Sequence, residues 1–128
     1  MIDRLDHLVL TVADIDATVA FYERVLGMRH ELFGSGRSAL VFGQQKLNLH
    51  RLGREFEPKA RRPTPGAIDL CLISSWPIEQ LLAHLAAQGV AVEQGPVMRT
   101  GALGAIESVY FRDPDGNLIE VGHYPQHP

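Results

Sequence analysis

An internal duplication constrains this chain more than any other feature. At an offset of 62 residues Leu8-Val9-Leu10 falls on Leu70-Cys71-Leu72, and His7 falls on Asp69. At the same offset Val25-Leu26-Gly27-Met28 falls on Ala87-Gln88-Gly89-Val90, each time closing an apolar helical stretch. Further on, Leu47-Asn48-Leu49 corresponds to Ile119-Glu120-Val121, the offset having grown to 72. A unit repeated twice is expected to pack about a pseudo-twofold axis. Polar residues at equivalent inner-face positions then converge, which singles out His7, Asn48, Asp69 and Glu120.

The chain is long enough for one domain, 128 residues, able to bury roughly 65–70% of its unfolded surface. A net charge of -3 and the lack of a dominant basic cluster argue against nucleic acid or an anionic membrane as partner. The densest basic stretch, Lys59 to Arg62, lies in a Pro-rich segment that reads as solvated linker. Cys71 is the single cysteine, so no intrachain disulfide framework exists and a reducing cytoplasm suits the chain. Neither a signal peptide nor a membrane-spanning apolar run is apparent, and the expectation is a cytoplasmic protein.

Residues 5–12 read as a half-buried strand, with Leu8 and Leu10 on one face and Leu5, His7 and Val9 on the other. Asp14 or Asp16 caps the following helix, whose buried stripe is Val19, Phe21, Tyr22, Val25 and Leu26 and whose stop is Gly27. Strands are expected at 29–33, 37–42 and 46–52, set apart by Gly34-Ser35-Gly36 and Gly43-Gln44. The first module therefore spans residues 1–52 as β-α-β-β-β. Residues 53–66, with Pro58, Pro63 and Pro65, read as a linker.

The second module, 67–123, opens with a strand at 68–73. A helix follows from Pro77 to about Gln88, with the stripe Ile78, Leu81, Leu82 and Leu85 and Gly89 as stop. Strands are expected at 92–94, 107–112 and 118–122, the last two joined by the strong turn Asp113-Pro114-Asp115-Gly116-Asn117. Residues Arg99 to Gly104 lack apolar periodicity and read as a binding or lid loop. The fold class is α+β: two tandem modules forming a curved mixed sheet around a cleft.

Strand parity assigns the faces. His7, then Lys46, Asn48 and His50, then Asp69 and Cys71, then Ser108, Tyr110 and Arg112, then Glu120 all fall opposite the leucines, isoleucines and valines that pack on the helices. Two carboxylates and one or two imidazoles on one surface are costly unless paired, because unpaired buried charge destabilises by several kcal/mol, roughly. A divalent cation (Mn, Fe, Ni, Co or Zn) held by His7, Asp69, Glu120 and His50 balances them. The bland alternative is a His7–Glu120 ion pair with Asp69 held by Arg or Lys. Cys71 reads as a small buried filler, and His30, His84, His123 and His127 as exposed or terminal.

The pattern of Leu5-Asp6-His7-Leu8 at the start and Arg112-Asp113-Pro114-Asp115-Gly116-Asn117-Leu118-Ile119-Glu120-Val121 at the end resembles the vicinal oxygen chelate superfamily. That superfamily includes glyoxalase I, fosfomycin-resistance proteins, extradiol dioxygenases and bleomycin-resistance proteins. Phe42-Gly43-Gln44-Gln45-Lys46-Leu47-Asn48-Leu49-His50, with Arg99-Thr100-Gly101-Ala102 and the Asp69-Leu70-Cys71 strand, is similar to the subgroup called glyoxalase domain-containing protein 5. The resemblance implies metal-ligand positions at His7, Asn48, Asp69 and Glu120. Asp69 stands where catalytic members usually have His, and Asn48 where glyoxalase I has Glu or Gln; His50 offers a substitute imidazole.

The implied function is a metal-dependent isomerase, lyase or thiol transferase on a small oxygenated substrate. Glu120 and Asp69 are its catalytic carboxylates, and Arg99, Ser108, Tyr110 and Asn48 line the substrate site. The alternatives are a metal-free sequestering protein of the bleomycin-resistance type and an extradiol dioxygenase-like oxidoreductase. A homodimer is expected, since exposed sheet edges are usually paired or covered.

Overall fold

The structure, a computed structural model, describes residues 1–125. It is α+β, two tandem β-α-β-β-β modules in the order β1(His7–Val12), α1(Ile15–Leu26), β2(Arg29–Phe33), β3(Arg37–Phe42), β4(Gln45–Arg51), β5(Asp69–Ile73), α2(Ile78–Ala87), β6(Gln94–Gly101), β7(Gly104–Arg112), β8(Leu118–His123). The strands form two four-stranded sheets, β1-β4-β3-β2 and β5-β8-β7-β6. The first compact unit holds residues 1–68 with Pro114–Gly116, and the second holds Asp69–Asp113 and the chain from Asn117 on.

In the first unit the outer pair β1/β4 is parallel and the rest antiparallel. Because residues paired across a ladder share a face, Leu8 and Leu10 side with Leu47, Leu49 and Leu40. Leu10, Leu40, Leu47 and Leu49 are buried, as are Val19, Tyr22 and Val25 of α1, which form the core. The helix starts where the Asp14 carboxylate accepts the Ala17 N–H at 3.0 Å and satisfies an otherwise orphaned donor. It ends at Gly27, whose φ of 66° is left-handed and which a residue with a Cβ adopts only under strain.

The second unit repeats this ladder. Leu70 pairs with Ile119 and Leu72 with Val121, as Leu8 does with Leu47 and Leu10 with Leu49. Val109, Phe111, Ile119 and Val121 are buried on one face, and Ile78, Leu81 and Leu85 supply the buried stripe of α2; Leu82 is only half-buried. Unlike α1, this helix begins at Pro77 with no side-chain cap. The β7–β8 turn closes on itself: Asn117 N–H and Nδ2 donate to the Asp113 carboxylate at 2.9 and 2.8 Å, and Asp113 N–H donates to Asn117 O at 3.1 Å.

The segment from Val92 to Gly104 departs from expectation. No strand occupies 92–94 alone and there is no lid loop at 99–104; β6 runs Gln94–Gly101 and turns through Ala102 and Leu103 straight into β7, which starts at Gly104. Two features hid it. The register shifts between Gln94 and Val97, where Gly95 has φ +114° and a Cβ there would stand 2.5 Å from Ser108 O. The β6 strand is also mostly exposed on both faces, Met98 being 54% exposed, so no apolar alternation marks it. Among the described residues no helix is long and apolar enough to cross a membrane.

Candidate functional site

Each unit presents one polar sheet face, on the side away from its buried leucines and valines. In the first unit the rungs read His7–Lys46–Val41–Arg29, then Val9–Asn48–Ala39–Glu31, then Thr11–His50 and Arg37–Phe33, whose side chains meet through Arg37 and His50. In the second they read Asp69–Leu118–Arg112, then Cys71–Glu120–Tyr110–Gln94, then Ile73–Gly122–Ser108–Val97. Every residue placed on these faces by strand parity in the sequence lies there.

On the first face His7 is exposed, and its Nδ1 lies 2.8 Å from Asp6 Oδ1. The Asp6 carboxyl is held below its ordinary range, first by that hydrogen bond. A carboxylate only accepts, so Nδ1 is the donor. Asn48 is buried at 6% exposure, and its Oδ1 has no hydrogen-bond partner. His50 is 3% exposed, and its Nε2 lies 3.4 Å from Arg37 Nη2. A guanidinium only donates, so this imidazole nitrogen accepts. Burial, then the Arg37 charge, pushes the His50 pKa down, so the ring is neutral.

His50, expected as a metal ligand, stands apart from His7 along the sheet. It is level with Thr11, four residues along the strand from His7, a separation of about 13 Å, and its accepting nitrogen is taken by a cation.

On the second face Glu120 is half-buried in the central strand, with Cys71 level on one side and Tyr110 on the other. Asp69 is exposed one rung pair away. Cys71 is an exposed residue, not a buried filler; partial desolvation of its thiol, then Glu120 and Asp69, push its pKa up to about 11. Arg99 Nε donates to Tyr110 Oη at 3.0 Å, which ties the β6 edge to the face. Arg112 instead grips Glu93, its Nε and Nη2 donating to the two carboxylate oxygens at 2.9 and 3.1 Å. Ser108 is fully buried with an unpartnered Oγ, so it lines the face from beneath rather than from its surface. His123 is pinned by Nδ1 to Ser74 O at 3.0 Å; His30 and His84 are half-buried, and His127 lies outside the described residues.

The first unit offers an imidazole oriented by a carboxylate, His7 beside Asp6, and the second offers the Asp69 and Glu120 carboxylates, each a donor type that a divalent ion takes. Among the described residues, however, no group of three or more His, Cys, Asp or Glu is arranged to hold a metal ion.

Sequence reading missed the aromatic and cationic part of the first face. Arg37 Cζ lies 4.4 Å from the Phe56 ring centre and 5.1 Å from that of Phe33, and Lys46 Nζ lies 3.9 Å from Phe33. The odd-numbered parity of β3, applied to Arg37 as it was to Asn48, was the available signal; the reach of Phe56 out of the Pro-rich segment had none.

Residues 4–121 match the family model described as the Glyoxalase/Bleomycin resistance protein/Dioxygenase superfamily. The chain is 56% identical over 124 residues to Virulence protein STM3117 of Salmonella typhimurium, covering 97% of this chain and 86% of that protein. The crystal structure of that protein superposes with a TM-score of 0.96, covering 98% of this chain and 99% of that one. The chain is 55% identical to Glyoxalase domain-containing protein RDO1 of Mycosarcoma maydis, covering 94% of this chain and 68% of that protein. It is 26% identical to Metallothiol transferase FosB of Shouchella clausii, covering 94% of this chain and 80% of that protein.

Proposed function

The chain belongs to the glyoxalase/bleomycin resistance protein/dioxygenase superfamily, and from that premise we propose that it is a divalent-metal-assisted isomerase, lyase or thiol transferase acting on a small oxygenated molecule. The observation that carries this reading is a half-buried carboxylate, Glu120, at the centre of the second polar face, with Asp69 two residues from its neighbour Cys71 and level with Arg112, whose charge it meets. A carboxylate in such a half-buried place loses hydration.

The donors this reading calls on are the His7 imidazole of the first unit and the Asp69 and Glu120 carboxylates of the second, types that suit Mn, Fe, Co, Ni or Zn. When bound, the ion supplies Lewis acidity toward a substrate oxygen. The name of the 26% identical relative FosB, a metallothiol transferase, supports the same class of chemistry.

The chain's own groups divide the remaining work. Glu120, central on its face, takes a proton from the substrate at one oxygen and returns it at a neighbouring atom. Tyr110 Oη already accepts from Arg99 Nε, so its own hydrogen is free to donate to a substrate oxygen and steady developing negative charge. Arg99 fixes the phenol's position. Cys71 lies level with Glu120 on the same face.

A second reading, metal-free capture of the small molecule, is favoured by the absence of a three-donor group among the described residues. Thermal melts of chelator-treated protein with Ni, Mn or Zn separate the two. At free metal about a hundred times Kd, stabilisation of roughly 2.7 kcal/mol is expected, a rise of several degrees that His7→Ala and Glu120→Ala abolish. Identical melts with and without all three metals replace the first reading with the second. The same proposal takes the chain as a homodimer, which sedimentation showing only monomer at micromolar concentration refutes.

A further inference from the structure

We infer that the polar face of the first unit is an oxyanion-binding surface, built from Arg37 and Lys46 with Asn48 beside them, for a small carboxylate or phosphate-type molecule that also carries an O–H or N–H donor. The inference extends the proposed function only in giving its small molecule a negative charge.

The cations carry the argument. The Arg37 guanidinium and the Lys46 ammonium both converge on the Phe33 ring, at 5.1 and 3.9 Å from its centre. Two like charges brought to one ring repel each other, and the ring faces compensate each by an amount that is modest. Neither cation has an ion-paired carboxylate among the described residues.

The acids nearby are engaged elsewhere, Asp6, which feels the Lys46 charge, being hydrogen-bonded to His7. Glu55 accepts the Gly53 N–H at 2.8 Å, Glu57 pairs with Lys59, and Glu31 pairs with Arg29 at 3.2 Å. Arg37 is also held in place: it is stacked against Phe56 at 4.4 Å and donates to the neutral His50. Its Nε is nonetheless buried with no acceptor. A buried donor without a partner is rare and costly, and a carboxylate or phosphate oxygen is what a guanidinium edge binds best, often through two parallel bonds.

Asn48 specifies the rest of the ligand. It lies one rung pair from both Lys46 and His50 on the same strand face, is 6% exposed and leaves Oδ1 buried without a donor. An acceptor adjoining two cations is satisfied by a ligand that presents an O–H or N–H close to its anionic group. A 2-hydroxycarboxylate has that layout.

Calorimetric titration of the chelator-treated full chain with lactate, propionate and inorganic phosphate tests this independently of any metal. Lactate should bind, and propionate, which lacks the hydroxyl, several-fold more weakly. Arg37→Met and Lys46→Met should each weaken lactate by about tenfold or more, while Asn48→Ala should erase the preference for lactate over propionate. If phosphate binds and both carboxylates fail, the anion is of the phosphate type and the surface stands. Lys46→Met, on a half-buried side chain, serves if Arg37→Met does not fold. Lactate affinity unchanged in Lys46→Met, or no heat from any of the three anions, overturns the inference. A metal-insensitive melt with lactate binding intact would sink the metal reading alone.

Discussion

The two sheets share a ladder and differ in the chemistry hung upon it. His7 is level with Lys46 as Asp69 is with Leu118, and Val9 with Asn48 as Cys71 is with Glu120. The buried faces match in kind, Leu47 and Leu49 against Ile119 and Val121. The polar faces do not. Thr11, His50, Arg37 and Phe33 of the first face give way in the second to Ile73–Gly122–Ser108–Val97, and where the first centres on Arg37 and Lys46 the second centres on Glu120. Packing tolerates only apolar residues of similar volume on the helix side, so the duplicated half of each strand is the buried half. The other half is open to divergence, and here it has diverged in charge: the first centres on Arg37 and Lys46, which suits the holding of an anion, and the second on Glu120, which suits the handling of protons.

The equivalence of the buried faces has the largest measurable consequence. Leu47 and Ile119 occupy corresponding rungs and are each 1% exposed. Leu47→Ala and Ile119→Ala should each destabilise by about 2–5 kcal/mol, the transfer term plus the cavity left behind. Denaturant unfolding measures both. A loss below about 1 kcal/mol at one position and not the other would break the comparison, showing that one core collapses around the missing atoms and the other does not.

The helices offer a smaller contrast. Asp14 caps α1 through its side chain, whereas α2 begins at Pro77 with no side-chain cap. Asp14→Ala should cost about 1 kcal/mol, and Pro77→Ala should stay within roughly 0.5 kcal/mol, as surface changes that break no contact do. Equal losses would mean that the Asp14 bond contributes nothing beyond the chain's own helical preference.

How far the sequence could be read follows from the same division. Residues that alternate against a buried face declared themselves: β2 and β3 fall where apolar periodicity places them, and the Asp113–Asn117 turn is legible because Pro, Gly and Asn each demand a particular backbone. The Gln94–Gly101 strand was not legible, since exposure on both faces removes the alternation and the irregularity at Gly95 breaks the count. Site residues followed suit. Parity put Asn48, Glu120 and Tyr110 on the right face, because parity needs only a strand. It did not reveal that Arg37 occupies His50 or that Phe56 turns in from the Pro-rich segment. Those contacts are set by side chains reaching across strands and loops, and no local period encodes them.

The smallest expected effect is the sharpest probe of the difference in charge between the two faces, and it uses the one thiol. Burial and the neighbouring carboxylates raise the Cys71 pKa from an ordinary 9.0 to about 11. A thiol whose folded pKa lies above its unfolded value binds its proton more tightly when folded. Its contribution to stability is therefore complete below pH 9 and lost as pH rises from 9 through 11. At pH 8 the thiolate is scarce, and alkylation by iodoacetamide should be slow despite the side chain's exposure. Glu120→Gln removes the nearer charge but leaves burial, the larger cause, so the rate should rise several-fold with little change in stability. The corresponding residue of the first sheet is Val9, 40% exposed and level with Asn48. A thiol placed there by Val9→Cys, in a chain where Cys71→Val has removed the native one, faces Lys46 and Arg37 instead of two carboxylates. It should alkylate faster at pH 8 than native Cys71, because nearby cations favour the thiolate. A Val9→Cys thiol as sluggish as Cys71 would mean that the first face is not cationic where Val9 stands. The contrast between the sheets would then reduce to burial alone.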